Sequence, residues 1–363
     1  MRVGRILAVL CVTGLLCGAC SKKDETQGQT STGSAKATAA ATGKGSAAQG
    51  AATAGATAAA KTPTGAPVAA DPKAAYNHLP ADCDVVARID ISKLLAQPAM
   101  AKDVVPLLDQ IAKKPDAKSP DFKAFQGFLT ETGIDLKSSF KSAALCVRNV
   151  AAQPKFSFVV AGDLKPETIV AAMEKAPMKG KKPTVVDIDG RKAISDVKFT
   201  MGQAADGALV FSDDKALFQA STPTADNYQS KYALPLVGDF SLAVADNLAK
   251  TMVGKDKSAP KEFGAVGRIT ATLDLAGSKA MAKLTCATAE DATKLNAMLI
   301  LMKDQFKQKL GAKSQFGEGK ALESATSKVE GNDVLIELTL PGELMEQSAK
   351  MTAAQLAQVL KTL

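Results

Sequence analysis

Few residues of this 363-residue chain could act together as a nucleophile and its base. Ser138 and Lys141 in "SSFK", and Ser258 and Lys261 in "SAPK", have the spacing at which a lysine amine can activate a serine hydroxyl. The Ser-Asp-Asn and Lys-Thr-Gly elements that complete such a site are missing, and the second pair encloses a proline. A hydrolase that uses Ser138 and Lys141 is therefore the weakest of the functions considered below.

Metal and triad chemistry finds equally little support. The single histidine, His78, precedes Leu79 at the expected start of the folded region, whereas histidine-based zinc sites need at least two. "DIDG" at residues 187–190 opens like a calcium loop but lacks the later acidic ligands, and a strand followed by an Asp-Gly turn explains it better. We expect no catalytic residue, no metal and no cofactor.

Cys17 and Cys20 stand where an apolar run gives way to charge. Arg2 and Arg5 precede that run, which covers residues 6–16. A membrane-spanning helix needs about 20 apolar residues, so the shorter run is typical of a secretory signal peptide. The residues that follow cannot supply the folded context that a metal or redox pair of cysteines needs.

The "GAC" of residues 18–20 resembles the end of the lipobox of bacterial lipoproteins, in which Leu, a small residue and Gly or Ala precede the lipidated cysteine. Cys17 stands where that family usually has leucine. The resemblance implies that Cys20 receives a diacylglycerol, that residues 1–19 are removed, and that the new amine is acylated. Ser21, in place of aspartate, implies an outer-membrane location. A secretory signal without lipidation is the alternative.

Residues 20–72 predict a disordered tether. Residues 21–72 contain no aromatic residue, and Val68 is their one apolar residue larger than alanine apart from the prolines. Such a segment cannot bury enough surface to offset the entropy lost on ordering. As a coil of about 50 residues it would span roughly 40 Å, which would let the folded part stand away from the membrane that holds Cys20.

The order of predicted elements repeats along residues 73–363. "DVVARIDISKLL" from Asp84 and "DFSLAVADNLAK" from Asp239 each predict a strand that runs into a helix. Segments from Lys141 and from Gly267 each predict two strands and a helix. A hairpin and a further helix follow in both places, with Asp-Gly and Glu-Gly-Asn-Asp turns.

This repetition predicts an α+β fold of two tandem similar halves, residues 73–230 and 231–363. Each half is expected to be a mainly antiparallel sheet with helices packed on one face. Chance agreement between short elements is the alternative to an internal duplication.

The clearest predicted helix follows Cys286. Thr288 can cap its first turn, with Asp291 as the partner. Apolar residues recur at three- and four-residue spacing: Ala292, Leu295, Met298, Leu299, Met302, Phe306 and Leu310. The main interpretation is a stripe that packs on a sheet. "MLILM" at residues 298–302 widens the stripe. This favours a second interpretation, in which the helix binds a partner or lipid.

Cys83, Cys146 and Cys286 are the other cysteines of the mature chain. In an oxidising compartment two of them can pair. Cys83 opens the first strand and Cys146 lies in the next, so we predict a Cys83–Cys146 disulfide and a buried Cys286 thiol. Three unpaired buried cysteines are the alternative.

The formal net charge of +8 comes mainly from lysine, since only six arginines occur. Specific nucleic-acid contacts favour arginine and aromatic stacking, yet the chain has no tryptophan and 4% aromatic residues. We expect no nucleic-acid partner. A basic body can still contact anionic lipids or cell-wall polymers.

"LPADCDVVARIDISKLL", residues 79–95, is similar to the openings of large predicted lipoproteins from myxobacteria and their relatives, a group that implies no function or site residue. We expect a lipid-anchored cell-envelope lipoprotein whose non-catalytic domain, in the periplasm or at the cell surface, binds an envelope protein, glycan or lipid. The alternatives are a periplasmic carrier of lipids or lipoproteins with an apolar cavity, and the serine-lysine hydrolase.

The anchor at Cys20 is directly testable. Cells that express the chain should incorporate labelled palmitate into it, and Cys20→Ser should abolish the label because the acylated sulfur is lost. Membrane attachment that is unchanged in the Cys20→Ser variant would refute the anchor.

Overall fold

Many short segments of the folded region form strands because apolar and polar residues alternate along them. The computed structural model describes residues 75–113, 120–175, 184–188, 190–196, 199–204, 208–221, 238–245, 261–310 and 318–362. The predicted signal peptide, Cys20, the tether, Ser258 and the predicted boundary at residue 230 lie outside these ranges.

Within these ranges, twelve strands form one antiparallel sheet. They are β1 (Val85–Asp90), β2 (Phe140–Arg148), β3 (Lys155–Gly162), β4 (Thr184–Ile188), β5 (Arg191–Asp196), β6 (Phe199–Gln203), β7 (Leu209–Ser212), β8 (Phe240–Val244), β9 (Val266–Asp274), β10 (Lys279–Cys286), β11 (Thr326–Glu330) and β12 (Asp333–Thr339). Their order across the sheet is β11-β12-β10-β9-β8-β1-β2-β3-β7-β6-β5-β4.

Nine α-helices accompany the sheet in the described ranges. They are α1 (Ile91–Ala96), α2 (Pro98–Asp103), α3 (Val105–Lys113), α4 (Pro120–Thr132), α5 (Pro166–Lys175), α6 (Lys215–Ala220), α7 (Ala289–Leu310), α8 (Glu318–Ser324) and α9 (Gly342–Thr362). Short 3₁₀ helices cover Ala75–His78 and Lys261–Ala265.

The predicted α+β class with a mainly antiparallel sheet is confirmed. The strands of the two predicted halves form one continuous sheet rather than two, because β1 pairs with β8. Outward from this pair the order is β1-β2-β3 and then β5-β4 on one side, and β8-β9-β10-β12-β11 on the other, with β7 and β6 inserted after β3. Duplication of an ancestral half stays a prediction.

The register of the strands divides the side chains between two faces of the sheet. We call the face that carries Val86 and Cys146 the mixed face, and the face that carries Ala87 and Leu145 the apolar face. The expectation that helices pack on one face holds only in part. Helices α5 and α7 pack on the apolar face, whereas α6 and the Ala75–His78 turn pack on the mixed face.

Local signals position several of these elements. The Thr288 hydroxyl accepts a hydrogen bond from the Asp291 N–H (3.1 Å) and donates one to Asp291 Oδ2 (2.8 Å), so the predicted cap of α7 is confirmed. Asp214 caps α6 by accepting from the Leu217 N–H (2.9 Å). Gly331 has a φ of 61° in the β11–β12 turn, a conformation that favours glycine.

A disulfide joins Cys83 to Cys146, with the two Cα atoms 5.5 Å apart. Cys83 lies just before β1, and both cysteines are buried in the core of the mixed face. The Ala75 N–H also donates to Ser142 Oγ (3.1 Å). These bonds fix the first described residues against the mixed face, while Cys286 is a buried free thiol.

Removing the disulfide should destabilise the fold. A Cys83→Ala/Cys146→Ala variant is expected to lose about 2–4 kcal/mol of unfolding free energy, because the unfolded chain regains the freedom of a long loop. Urea unfolding of both proteins, with and without reductant, measures this loss. Reductant should lower the midpoint of the parent and leave that of the variant unchanged; equal midpoints for the two oxidised proteins would contradict the prediction.

Candidate functional site

Ser138 and Lys141 lie at the start of β2. Ser138 is exposed, and Lys141 Nζ lies 3.3 Å from Asp163 Oδ2 with 49% of the lysine side chain exposed. A lysine that activates a serine is normally desolvated or held against the hydroxyl. The environment of this pair gives the hydrolase alternative no support.

His78 and Cys286 are the other candidates for chemistry. His78 is fully buried in the turn that covers the mixed face. Burial raises the pKa of the Cys286 thiol, and the nearby charges of Asp291 and Asp333 raise it further. A thiol with a raised pKa is a poor nucleophile at neutral pH. Among the described residues, no cluster of three or more His, Cys, Asp or Glu side chains is placed to hold a metal ion.

The most unusual feature of the sheet is the centre of its apolar face. Five neighbouring strands, β9, β8, β1, β2 and β3, each contribute three side chains there, and all fifteen are apolar. We call this set the apolar floor: Ile269, Ala271, Leu273, Phe240, Leu242, Val244, Val85, Ala87, Ile89, Ala143, Leu145, Val147, Phe156, Phe158 and Val160.

The register aligns these residues in three rows across the five strands. The middle row runs from Ala271 through Leu242, Ala87 and Leu145 to Phe158. Side chains that face each other across neighbouring strands lie in contact range. Each row is therefore a continuous apolar band that no polar side chain interrupts.

Burial of the two faces is the reverse of the usual pattern. On β1 and β8 the mixed face is closed, with Val86 1% and Ala243 0% exposed, although it also carries Arg88 and Ser241. On the apolar floor only Ala143 and Val160 are buried; Phe156 is 46% exposed and the other members are half-buried. Apolar surface that stays partly open beside a closed mixed face points to a binding role.

Helices border the apolar floor on two sides. On one side α7 packs on β10, β11 and β12, where Leu284 and Val334 are buried, and Ile269 of the floor packs against the same cluster. On the other side α5 packs on β5 and β6, where Ile194 and Met201 are buried. We call the floor and its two bordering helices the apolar trough.

The two ends of the trough differ. At the end where β1 runs into α1 there is a helical cluster of α1–α4 and α9, and Phe140 packs against it. Lys93 of α1 lies 3.2 Å from the buried carboxylate of Asp239, which adds a charged rim. At the other end Phe156 is exposed, and its N–H donates to Asp213 Oδ1 (2.8 Å). The second end is the more open one.

The dimensions of the floor suit an extended apolar chain. The six residues of β1 span about 20 Å, and five strands span about 19 Å between the outer two. One leaflet of a bilayer has a hydrocarbon thickness of about 15 Å, half of the whole. An acyl chain of that length fits along the strands.

The sequence contains a partial signal for this surface. In "ITATL" of β9, Ile269, Ala271 and Leu273 alternate with threonine, and "FSLAV" of β8 also alternates. Alternation predicts two unlike faces but does not say which one is covered. The covering elements come from distant parts of the chain.

Comparisons with known proteins assign no family. No protein-family model matches the chain, and no curated protein matches it. Among solved structures it is similar to crystal form I of TP0453, with 10% identity and a TM-score of 0.40 over 78% of this chain and 98% of that one. Crystal form III gives 8% identity and a TM-score of 0.38 over 78% and 99% of the two chains.

Among the helices of the described ranges, none combines the length and the apolar character needed to cross a bilayer.

Two neighbouring valines test whether the floor is open. Val85 belongs to the apolar floor, while Val86 is 1% exposed on the mixed face. Val→Thr keeps the shape and adds a hydroxyl, which costs about 1–3 kcal/mol where it is buried without a partner. Urea unfolding should show such a loss for Val86→Thr and a change within about 0.5 kcal/mol for Val85→Thr. Equal losses would mean that the floor is closed.

Proposed function

We propose that this chain is a lipid-anchored cell-envelope lipoprotein whose folded region binds acyl chains, without catalysis, in the apolar trough. The observation that carries the proposal is the apolar floor: fifteen apolar side chains in register, most of them only half-buried. The acyl chain belongs to a lipid or to an acylated protein of the envelope. This assignment selects the apolar ligand from the protein, glycan and lipid ligands that the sequence left open.

The energetics of such a site suit a carrier. An acyl chain that leaves water gains about 0.8 kcal/mol for each CH₂ group it buries. In the trough the chain buries only the side that faces the floor, so it gains less there than in a bilayer and its release to a membrane is favourable. A floor without polar side chains also imposes little preference for one chain over another.

The expected anchor completes the proposal. Acylation of Cys20 would keep the trough near the membrane that supplies its ligand, and the tether of residues 20–72 would give the domain reach. Ser21 favours the outer membrane in this scheme. The trough then lies in the periplasm or at the cell surface.

The absence of tryptophan from the chain allows a direct test of acyl binding. A Leu242→Trp variant places one tryptophan at the centre of the floor. Titration with a bromine-labelled fatty acid should quench its emission in a saturable manner, because bromine quenches indole only on contact. Fluorescence titration below the micellar concentration of the fatty acid measures this.

Thr270→Trp provides the matched control, since Thr270 is half-buried on the mixed face of the adjacent strand. It should show little quenching. A Leu145→Glu change within the Leu242→Trp protein should weaken binding at least tenfold, with circular dichroism confirming the fold. Equal quenching at Leu242→Trp and Thr270→Trp, or none at either, would overturn the proposed function.

A further inference from the structure

Helix α7 carries apolar side chains on two opposite sides. With 3.6 residues per turn, Ala292 and Leu295 face the sheet, and both are 0% exposed. On the far side Ile300 is 47% and Leu301 63% exposed, and Ala297 is also exposed. We call Ala297, Ile300 and Leu301 the outer patch. Packing on the sheet explains why the side with Ala292 and Leu295 is apolar, but it does not explain the apolar outer patch.

We propose that the outer patch of α7 rests on the membrane, with its side chains at the boundary between headgroups and acyl chains. Exposed aliphatic side chains flanked by lysines are typical of helices that lie in this interface. Lys294 stands on one flank of the patch, and Lys303 and Lys307 stand on the other. Lys294 can keep its ammonium group in water while its stem lies on the lipid. Lys303 Nζ instead donates to the carbonyl oxygens of Glu323 and Ala325.

A bilayer is the partner we favour for the outer patch, because the predicted lipid anchor at Cys20 lies in the same chain. The first described residue is Ala75, and residues 21–74 separate it from Cys20. This step rests on the proposed function, in which Cys20 is held in the bilayer. The coil predicted for these residues would reach about 40 Å, and the proposed anchor would then hold the patch at a high effective concentration next to lipid.

Charge contributes little to this contact. Lys294 Nζ lies 2.7 Å from Glu290 Oε1, and Lys307 Nζ lies 3.6 Å from Glu323 Oε1. Asp304 is exposed one turn after Ile300 and limits the patch to the middle of the helix. Since acids and lysines balance here, the contact depends on the aliphatic side chains and works equally well on neutral lipid.

The contact also has a consequence for the trough. Helix α7 borders the apolar floor through its inner side, so a bilayer against its outer side brings the trough alongside lipid. An acyl chain would then pass between membrane and trough over a short path. The outer patch is thus a positioning surface for the proposed ligand exchange.

Depth-dependent quenching tests the outer patch in the full lipidated chain. A Leu301→Trp variant is reconstituted into phosphatidylcholine vesicles whose acyl chains carry bromine near the headgroup. Its emission should shift to the blue and be quenched at least twofold relative to vesicles without bromine. The control is Thr326→Trp, exposed on the mixed face of β11, which is the face of the sheet opposite to α7, and it should keep its emission.

Each other outcome has a definite meaning. Vesicle-bound protein with equal emission from both variants overturns the outer patch and leaves the anchor and the trough standing. Protein that does not bind vesicles overturns the patch and the anchor together. A blue shift of Leu301→Trp emission that grows with protein concentration without vesicles would mean that the patch binds a second copy of the protein. Quenching that requires phosphatidylglycerol would mean that the lysines, and not the aliphatic side chains, make the contact. Both of these last results overturn the proposal.

Discussion

The pairing of β1 with β8 is the interaction on which the rest of the structure depends. Opposite residues across it are Val85 with Val244, Ala87 with Leu242 and Ile89 with Phe240, so the centre of the apolar floor is the seam itself. Backbone hydrogen bonds extend the ladder beyond both strand ends, from Asp90 N to Asp239 O and from Ala245 N to Asp84 O, each 2.7 Å. A slip of one residue would turn every one of these side chains to the mixed face.

The closed mixed face explains how the sheet can leave its apolar face partly open. Val86, Cys146, Val159, Val210 and Phe218 form the core there with the Ala75–His78 turn and α6. Burial on that face, the disulfide and the packing of α5 and α7 at the flanks stabilise the sheet. The five central strands therefore have stabilising contacts in the described ranges that do not involve a cover over the floor.

Local features of this fold follow from local sequence, and the floor does not. Capping and turn chemistry predicts the helix caps at Thr288 and Asp214 and the turn at Gly331, because each involves only residues close together in the chain. The repeated order of elements also predicts antiparallel neighbours such as β2–β3 and β9–β10.

The continuous sheet, by contrast, depends on β1 meeting β8, two strands far apart in the chain, and no short-range pattern specifies that contact. The packing position of α6 is also not specified by a short-range pattern. Its Leu217 and Phe218 pack on the mixed face, but the segment has the pattern of an ordinary short amphipathic helix. Alternation in β8 and β9 marks two unlike faces, and only the tertiary structure decides which is covered.

Methyl-group NMR with a protonated fatty acid tests the central claim most directly, because contact-range NOEs read both faces of the sheet in one experiment. NOEs from the acyl protons are expected at the methyl groups of Leu242, Leu145 and Val147 on the apolar floor, and none are expected at those of Val86 and Val210 on the mixed face. NOEs to both faces alike, or to neither, would contradict an apolar trough that binds acyl chains.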